Sequence, residues 1–266
     1  MKSLRILPFL LTLSCIDLIT QKIQYNSLYF TGGSWIEMAL IDSMKIGSND
    51  YTLQFWVSGG TVETNEAPAL FSLIDSTDKI TLAILRDSNK QNRITTVINS
   101  NVSTHDINKN ELDWSNSENF YLISLLFSDN SNAKMYVDST LEDLDGKISL
   151  GGERLIVSAM ANEDRTILEN FWYGYIDEVR LWNTWLADST IKFQSEHPDK
   201  LGENYRYTDN NGKKINTYLD SLIGIWRLNF EEPLTIIEDD TEYNNDGNIY
   251  TISEEYSVEL SKKGAQ

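Results

Sequence analysis

The sequence holds one cysteine, two histidines and four prolines in 266 residues. A lone thiol cannot close a disulfide within the chain. Together with two imidazoles it cannot supply the four nitrogen or sulfur ligands of a structural zinc site. Basic side chains are scarce as well: 22 Lys and Arg against 40 Asp and Glu leave a formal net charge of -18. Such a surface repels phosphate backbones, which excludes nucleic acid as a partner. The acids keep the chain soluble and offer oxygens to a hard cation such as calcium. After the first fourteen residues no apolar run is long enough to cross a bilayer as a helix. No internal repeat points to a solenoid or propeller.

What is present begins with a leader. Lys2 and Arg5 precede the apolar run Ile6 to Leu13, then small Ser14 and Cys15. Residues 1–14 read as a short secretory signal, too brief to span a membrane. Leu11-Thr-Leu-Ser-Cys15 resembles a bacterial lipobox, with Thr12 where an aliphatic residue is usual. The resemblance implies that Cys15 becomes the lipidated first residue and that residues 15–24 form a tether. The alternative is an ordinary signal peptide whose cysteine is discarded. The expected location is across the inner membrane, lipid-anchored at the outer membrane or cell surface, with no other contact with the bilayer.

From Tyr25 onward, apolar residues recur with period two in short segments. Tyr51, Leu53, Phe55 and Val57 alternate with Thr52, Gln54 and Trp56, and Gly174 to Asn183 repeats the pattern. In that central stretch Asp177, Val179 and Leu181 would point one way, and Glu178, Arg180 and Trp182 the other. The first row should pack on a second sheet and the other should stay partly wet. Strands about ten residues apart, separated by Asn, Asp, Ser and Gly, predict an all-β, two-sheet antiparallel sandwich over residues 25–266. One short helix is expected at Asp188 to Gln194. A hairpin insertion is expected at 203–219, turned at Asn210-Asn-Gly212.

Five segments together are similar to the laminin-G-like branch of the concanavalin A-like lectin/glucanase superfamily. They are Ser27-Leu-Tyr-Phe-Thr-Gly32, Tyr51-Thr-Leu-Gln-Phe-Trp-Val57, Met135-Tyr-Val-Asp138, Gly174 to Asn183 with Leu186-Ala-Asp-Ser, and Ile223 to Glu231 with Asn244-Asn-Asp-Gly247. The resemblance implies a jelly roll of two antiparallel sheets, one of them concave. Thr31 stands where an Asp is usual and Ser139 where a Gly is usual. The resemblance also implies a rim where Asp177, Asp239 and Asp246 meet, and calcium as the cation they would hold.

Relatives with this fold include glycoside hydrolases with two acids on one strand face. Glu238-Asp-Asp-Thr-Glu242 has the letters of that pattern, but it runs into Tyr-Asn-Asn-Asp-Gly, a turn composition. It reads as an acidic loop, and no catalytic residues are assigned. Seven tryptophans supply faces for sugar rings. Trp56, Trp182 and Trp226 lie inside strand motifs and read as packing, while Trp114, Trp172, Tyr173 and Trp185 are the candidate ligand-binding aromatics. Glu178 and Arg180 are expected to pair. The function expected from all of this is non-catalytic carbohydrate recognition on a lipid-anchored envelope protein. The alternatives are an adhesion module binding a surface protein and, behind it, a glycoside hydrolase of the same superfamily.

Overall fold

In the computed structural model the described residues are 27–40, 50–60, 67–75, 80–87, 92–107, 112–113, 118–128, 130–144, 146–147, 152–161, 168–198, 207–208, 214–215, 218–228, 236–253 and 258–261. The leader, Cys15, the tether and Trp114 lie outside them. The strands are β1 (Ser27–Thr31), β2 (Ser34–Ala39), β3 (Asp50–Gly59), β4 (Ala69–Asp75) and β5 (Ile80–Arg86). They continue as β6 (Arg93–Ile98), β7 (Asn101–Asp106), β8 (Tyr121–Ser128), β9 (Lys134–Val137) and β10 (Thr140–Asp143). Next come β11 (Gly152–Val157), β12 (Met160–Ala161), β13 (Leu168–Glu169) and β14 (Tyr173–Trp182), then helix α1 (Asp188–Glu196). The chain closes with β15 (Tyr207–Thr208), β16 (Lys214–Ile215), β17 (Leu222–Trp226), β18 (Ile236–Ile237), β19 (Gly247–Thr251) and β20 (Val258–Ser261).

Two eight-stranded sheets form an all-β sandwich. The first runs β10-β9-β8-β3-β14-β1-β20 with β17 also on β14; the second runs β18-β19-β2-β11-β4-β5-β6-β7. Each pairing within them is antiparallel. The inward rows interdigitate: Phe55 on β3 stacks on Phe71 on β4 with ring centroids 4.8 Å apart. Leu28, Phe30, Leu53, Val57, Ile123, Leu125 and Phe127 from the first sheet share one core with Ile36, Met38, Leu73, Leu82 and Leu155 from the second. β15 and β16 pair as a separate two-stranded antiparallel sheet, and the turn expected at Asn210-Asn-Gly212 lies outside the described residues.

The register shifts at several places among the described residues, and the shift on the central strand bears on the site. β14 pairs with β3 in one register through Ile176↔Val57 and in another from Val179↔Phe55, so one extra residue sits at Asp177–Glu178. A bulge of this kind reverses which parity faces inward. Ile176, Val179 and Leu181 all enter the core as a result, and Asp177 does not continue the row of Val179 and Leu181 as strict alternation requires. Gly174, at φ +137°, brings β14 against β3, and a Cβ there would collide with the Ser58 carbonyl oxygen.

The other face of the first sheet is not wet at this end, contrary to the expectation from the sequence. Helix α1 lies over it, ending just before Pro198, as the steric demand of proline favours. It buries Thr190 and Ile191, which lie four and three residues before the buried Gln194 and so on the same helix face. Trp182, Leu126, Tyr136, Leu186 and Ile191 form a small second core beneath it. Polar groups lock the contact. Gln54 Nε2 donates to Ser124 Oγ and to Gln194 Oε1, both at 2.8 Å, and Tyr136 Oη donates to Asp188 Oδ1 at 2.7 Å.

Candidate functional site

The outer face of the second sheet is built differently. On β2 the buried Ile36 and Met38 point inward, so Trp35 and Glu37 must point out. β19 lies beside β2 in the register Tyr250↔Trp35 and Asn248↔Glu37, which puts Tyr250 and Asn248 on the same outer face. The Trp35 and Tyr250 rings stack with centroids 5.4 Å apart and planes 20° from parallel. Phe171 extends the strip on the other side, 6.1 Å from Trp35. Trp35 and Phe171 also pack against Ile74, Ile156 and Ala159. Tyr250 is 44% exposed and Ile252, at the end of the strip, 52%.

Two residues further along each strand, about 7 Å away, the aromatic row gives way to a polar one. Asn248 is exposed and Glu37 half-buried. Arg154 on β11 donates from Nη1 to Glu37 Oε1 at 3.3 Å, which orients the carboxylate beside the exposed Asn248. A half-exposed aromatic ring, Tyr250, beside an amide, a carboxylate and a guanidinium can hold the C–H face of a sugar ring while its neighbours read the hydroxyl groups.

A profile of the concanavalin A-like lectin/glucanases superfamily, Laminin_G_3, matches residues 30–192. The chain belongs to this family. Among solved structures, one similar to it is a Bacteroides ovatus protein provisionally described as carbohydrate-binding, with TM-score 0.51 and 11% identity, covering 89% of this chain and 60% of that one. Another is the heptameric SAP-like pentraxin of Limulus polyphemus, with TM-score 0.51 and 11% identity, covering 76% of this chain and 94% of that one. At such identities these likenesses speak for the fold alone. No curated protein matches the sequence.

Within this laminin-G-like domain the residues singled out from the sequence fall in several places. Trp172 is a correction: it is 1% exposed and part of the main core, so its ring face is taken by packing and not open to a ligand. Tyr173 is half-buried, its ring lying where a Cβ on Gly32 would be. Gly32 itself has φ +82°, so the absence of a side chain serves both the turn and the ring. Trp185 is half-buried against the small core under α1. Glu178 and Arg180 pair, as expected, in a buried contact that Arg227 extends from 3.7 Å. The structure does not bring these aromatics into the Trp35–Tyr250 strip.

The rim carboxylates are engaged in holding the chain. Asp239 Oδ1 accepts from the backbone N–H groups of Ile225 (3.0 Å) and Thr241 (3.1 Å), and Oδ2 from Thr241 Oγ1 (2.8 Å) and the Asn245 N–H (3.2 Å). Asp246 Oδ1 accepts from the Asp239 N–H at 3.0 Å, and Asp177 is 3% exposed at the bulge of β14. Among the described residues no three His, Cys, Asp or Glu side chains are grouped to hold a metal ion. The set Asp177, Asp239 and Asp246 does not fit calcium in this arrangement, because both Asp239 oxygens are already saturated by N–H and O–H donors. Residues 238–246 form a loop after β18 and not a catalytic strand.

The sequence reading passed over Trp35, Glu37, Asn248 and Tyr250. The signal that could have found Trp35 and Glu37 is the Trp-Ile-Glu-Met alternation, which places an aromatic and an acid on the face opposite two apolar residues; Asn248 and Tyr250 join them only through the pairing of β19 with β2.

Proposed function

We propose that this chain is a non-catalytic carbohydrate-recognition module whose sugar-binding surface is the Trp35–Tyr250 strip with Asn248 and Glu37. The observation that carries this reading is a near-parallel, partly exposed aromatic pair directly beside a hydrogen-bonding row on one sheet face. Membership in a lectin/glucanase superfamily supports it, as does a fold shared with a protein thought to bind carbohydrate. Neutral sugars are also compatible with a net charge of -18, which hinders anionic ligands. Stacking and hydrogen bonds suffice for the site, so binding should not depend on calcium.

The test is a glycan array on the purified protein, with and without calcium, followed by the Tyr250→Ala variant on any hit. Retained binding by that variant would move the site elsewhere, and a silent array would favour the protein-binding alternative. That second reading has its own observation: β7 is an edge strand of the second sheet whose Val102 is 67% exposed, a place where another strand can add. Attachment through a lipidated Cys15 belongs to the same proposal. Cys15→Ala should shift the protein from membrane to soluble fractions.

A further inference from the structure

Beneath α1 lies a group of polar atoms that the surrounding packing does not satisfy. Arg180 on β14 is opposite Gln54 on β3, and Gln54 is opposite Ser124 on β8, so the three side chains form one cross-strand row on the outer face. Gln194 of α1 closes over the row and accepts from Gln54 Nε2 at 2.8 Å. Trp182 is two residues beyond Arg180 on the same face and clusters with Ile191, three residues before Gln194. Gln54 and Trp182 are 0% exposed, Arg180 1% and Gln194 2%. Even so, Arg180 Nη1, Gln194 Nε2, Trp182 Nε1 and Gln54 Oε1 have no hydrogen-bond partner among the described residues.

The inventory of these atoms is lopsided. Arg180 Nη1 and Gln194 Nε2 carry two N–H groups each and Trp182 Nε1 carries one, whereas Gln54 Oε1 is the single acceptor. The two amides meet through one bond only: Gln54 Oε1 and Gln194 Nε2 stay open instead of closing a second bond between them. Arg180 is divided in the same way. Its Nε edge is taken by Glu178, whose other oxygen Arg227 approaches to 3.7 Å, while its Nη1 is not taken. Buried donors of this kind are costly unless something accepts from them. The matching occupant is small, accepts from several N–H groups and brings no hydrogens of its own. A monovalent halide meets those demands better than water, which adds two hydrogens to a site with one acceptor. We propose that the layer between α1 and the first sheet binds one such ion, chloride in ordinary salt, held by Arg180 Nη1, Gln194 Nε2 and Trp182 Nε1 and fastening α1 to the sheet. The net charge of -18 opposes a monovalent anion less than a multivalent one.

The test uses the full chain at constant ionic strength, with sodium chloride exchanged stepwise for sodium gluconate, whose anion is too large for the layer. The readouts are the melting temperature and the indole N–H resonance of Trp182, assigned with Trp182→Phe. The expected result is a melting temperature that rises with chloride and saturates, with the indole shift following the same curve. Trp182→Phe keeps a ring and loses the donor, and should weaken chloride binding about five- to tenfold. Gln194→Leu removes the amide donor while keeping a good helix former of similar size, and should weaken binding by a similar factor. It carries the test if Trp182→Phe does not fold. A melting temperature indifferent to chloride, as a water-filled site would give, overturns the proposal. So does a linear trend without saturation, or an unchanged chloride midpoint in a folded variant. Tyr250→Ala should respond to chloride like the parent chain, which keeps this site apart from the carbohydrate reading.

Discussion

The two outer faces of the sandwich start from the same rule and end in different states. Near α1, the outward residues Thr52, Gln54, Ser124, Tyr136 and Trp182 are sealed under a helix. On the other sheet, Trp35 and Tyr250 stack with nothing among the described residues laid over Tyr250. The covered face is held by short hydrogen bonds from Gln54 and Tyr136, and its large ring, Trp182, is fully buried. The open face keeps its aromatic pair half in water. An outward position in a strand therefore has no fixed meaning, since its role depends on what the chain later packs above it.

Substitutions should separate these faces, with stability lost on one and binding on the other. The largest effect is expected for Trp182→Ala, which empties a fully buried site under α1 and should cost about 3–5 kcal/mol in denaturant unfolding. Glycan binding per folded molecule should be unchanged, and its loss in the folded fraction would break the division. Asp239→Ala should cost about 2–4 kcal/mol, because it leaves the Ile225, Thr241 and Asn245 N–H groups without their acceptor. Calcium should not raise the melting temperature of the parent chain; a rise abolished by Asp239→Ala would show that the rim does hold the ion.

Tyr250→Ala should do the reverse. At 44% exposure its loss should alter stability by less than about 1 kcal/mol. Affinity for any glycan that the array identifies should fall about tenfold, as expected from losing one stacked ring. The smallest effect is expected for Tyr136→Phe, about 1 kcal/mol for one hydrogen bond to Asp188. It carries a pH signature. Burial first, and then the bond to Asp188, raise the Tyr136 phenol above its ordinary value of 10.0. Above that pH the unfolded chain loses the proton while the folded one keeps it, so stability falls as pH rises. Tyr136→Phe should lose that share of the alkaline destabilisation, and identical alkaline melting profiles would remove Tyr136 as its source.

Much of the sandwich was legible in the chain because strands write their burial with period two. Tyr51, Leu53, Phe55 and Val57 read correctly as a core row, and the helix expected at Asp188 to Gln194 is present as Asp188–Glu196. The pairing of Glu178 with Arg180 was legible too, since residues two apart on a strand share a face. The central strand was misread beyond that point. Ile176 and Val179 are three residues apart and both enter the core, which strict alternation forbids and a bulge permits. The letters Ile-Asp-Glu-Val contain that clue, but a bulge is defined by its partner strand.

Sorting core from surface aromatics by sequence met a related obstacle. Trp172 lies just before the central strand and looked exposed, yet it closes the main core; Trp35 looked like ordinary strand alternation, yet it forms half of the open stack. Tyr250 becomes significant only because β19 returns beside β2, more than two hundred residues later in the chain. Asp239 is comparable. Its four donors come from Ile225, Thr241 and Asn245, and the fold of one closing segment over β17 is what turns a candidate ligand into a clasp.

The order of residues alone determined that the chain would form antiparallel strands, which side of most strands would be apolar, and which partners its charge repels. Those properties are local: they depend on a residue, its neighbours at two positions' distance and the sum of the charges. Only the tertiary structure decided which outward rows were covered, which carboxylates were consumed by N–H groups, and which rings met as a stack. These outcomes depend on register and on contacts between segments far apart in the chain, and a one-residue shift at Asp177–Glu178 is enough to change them.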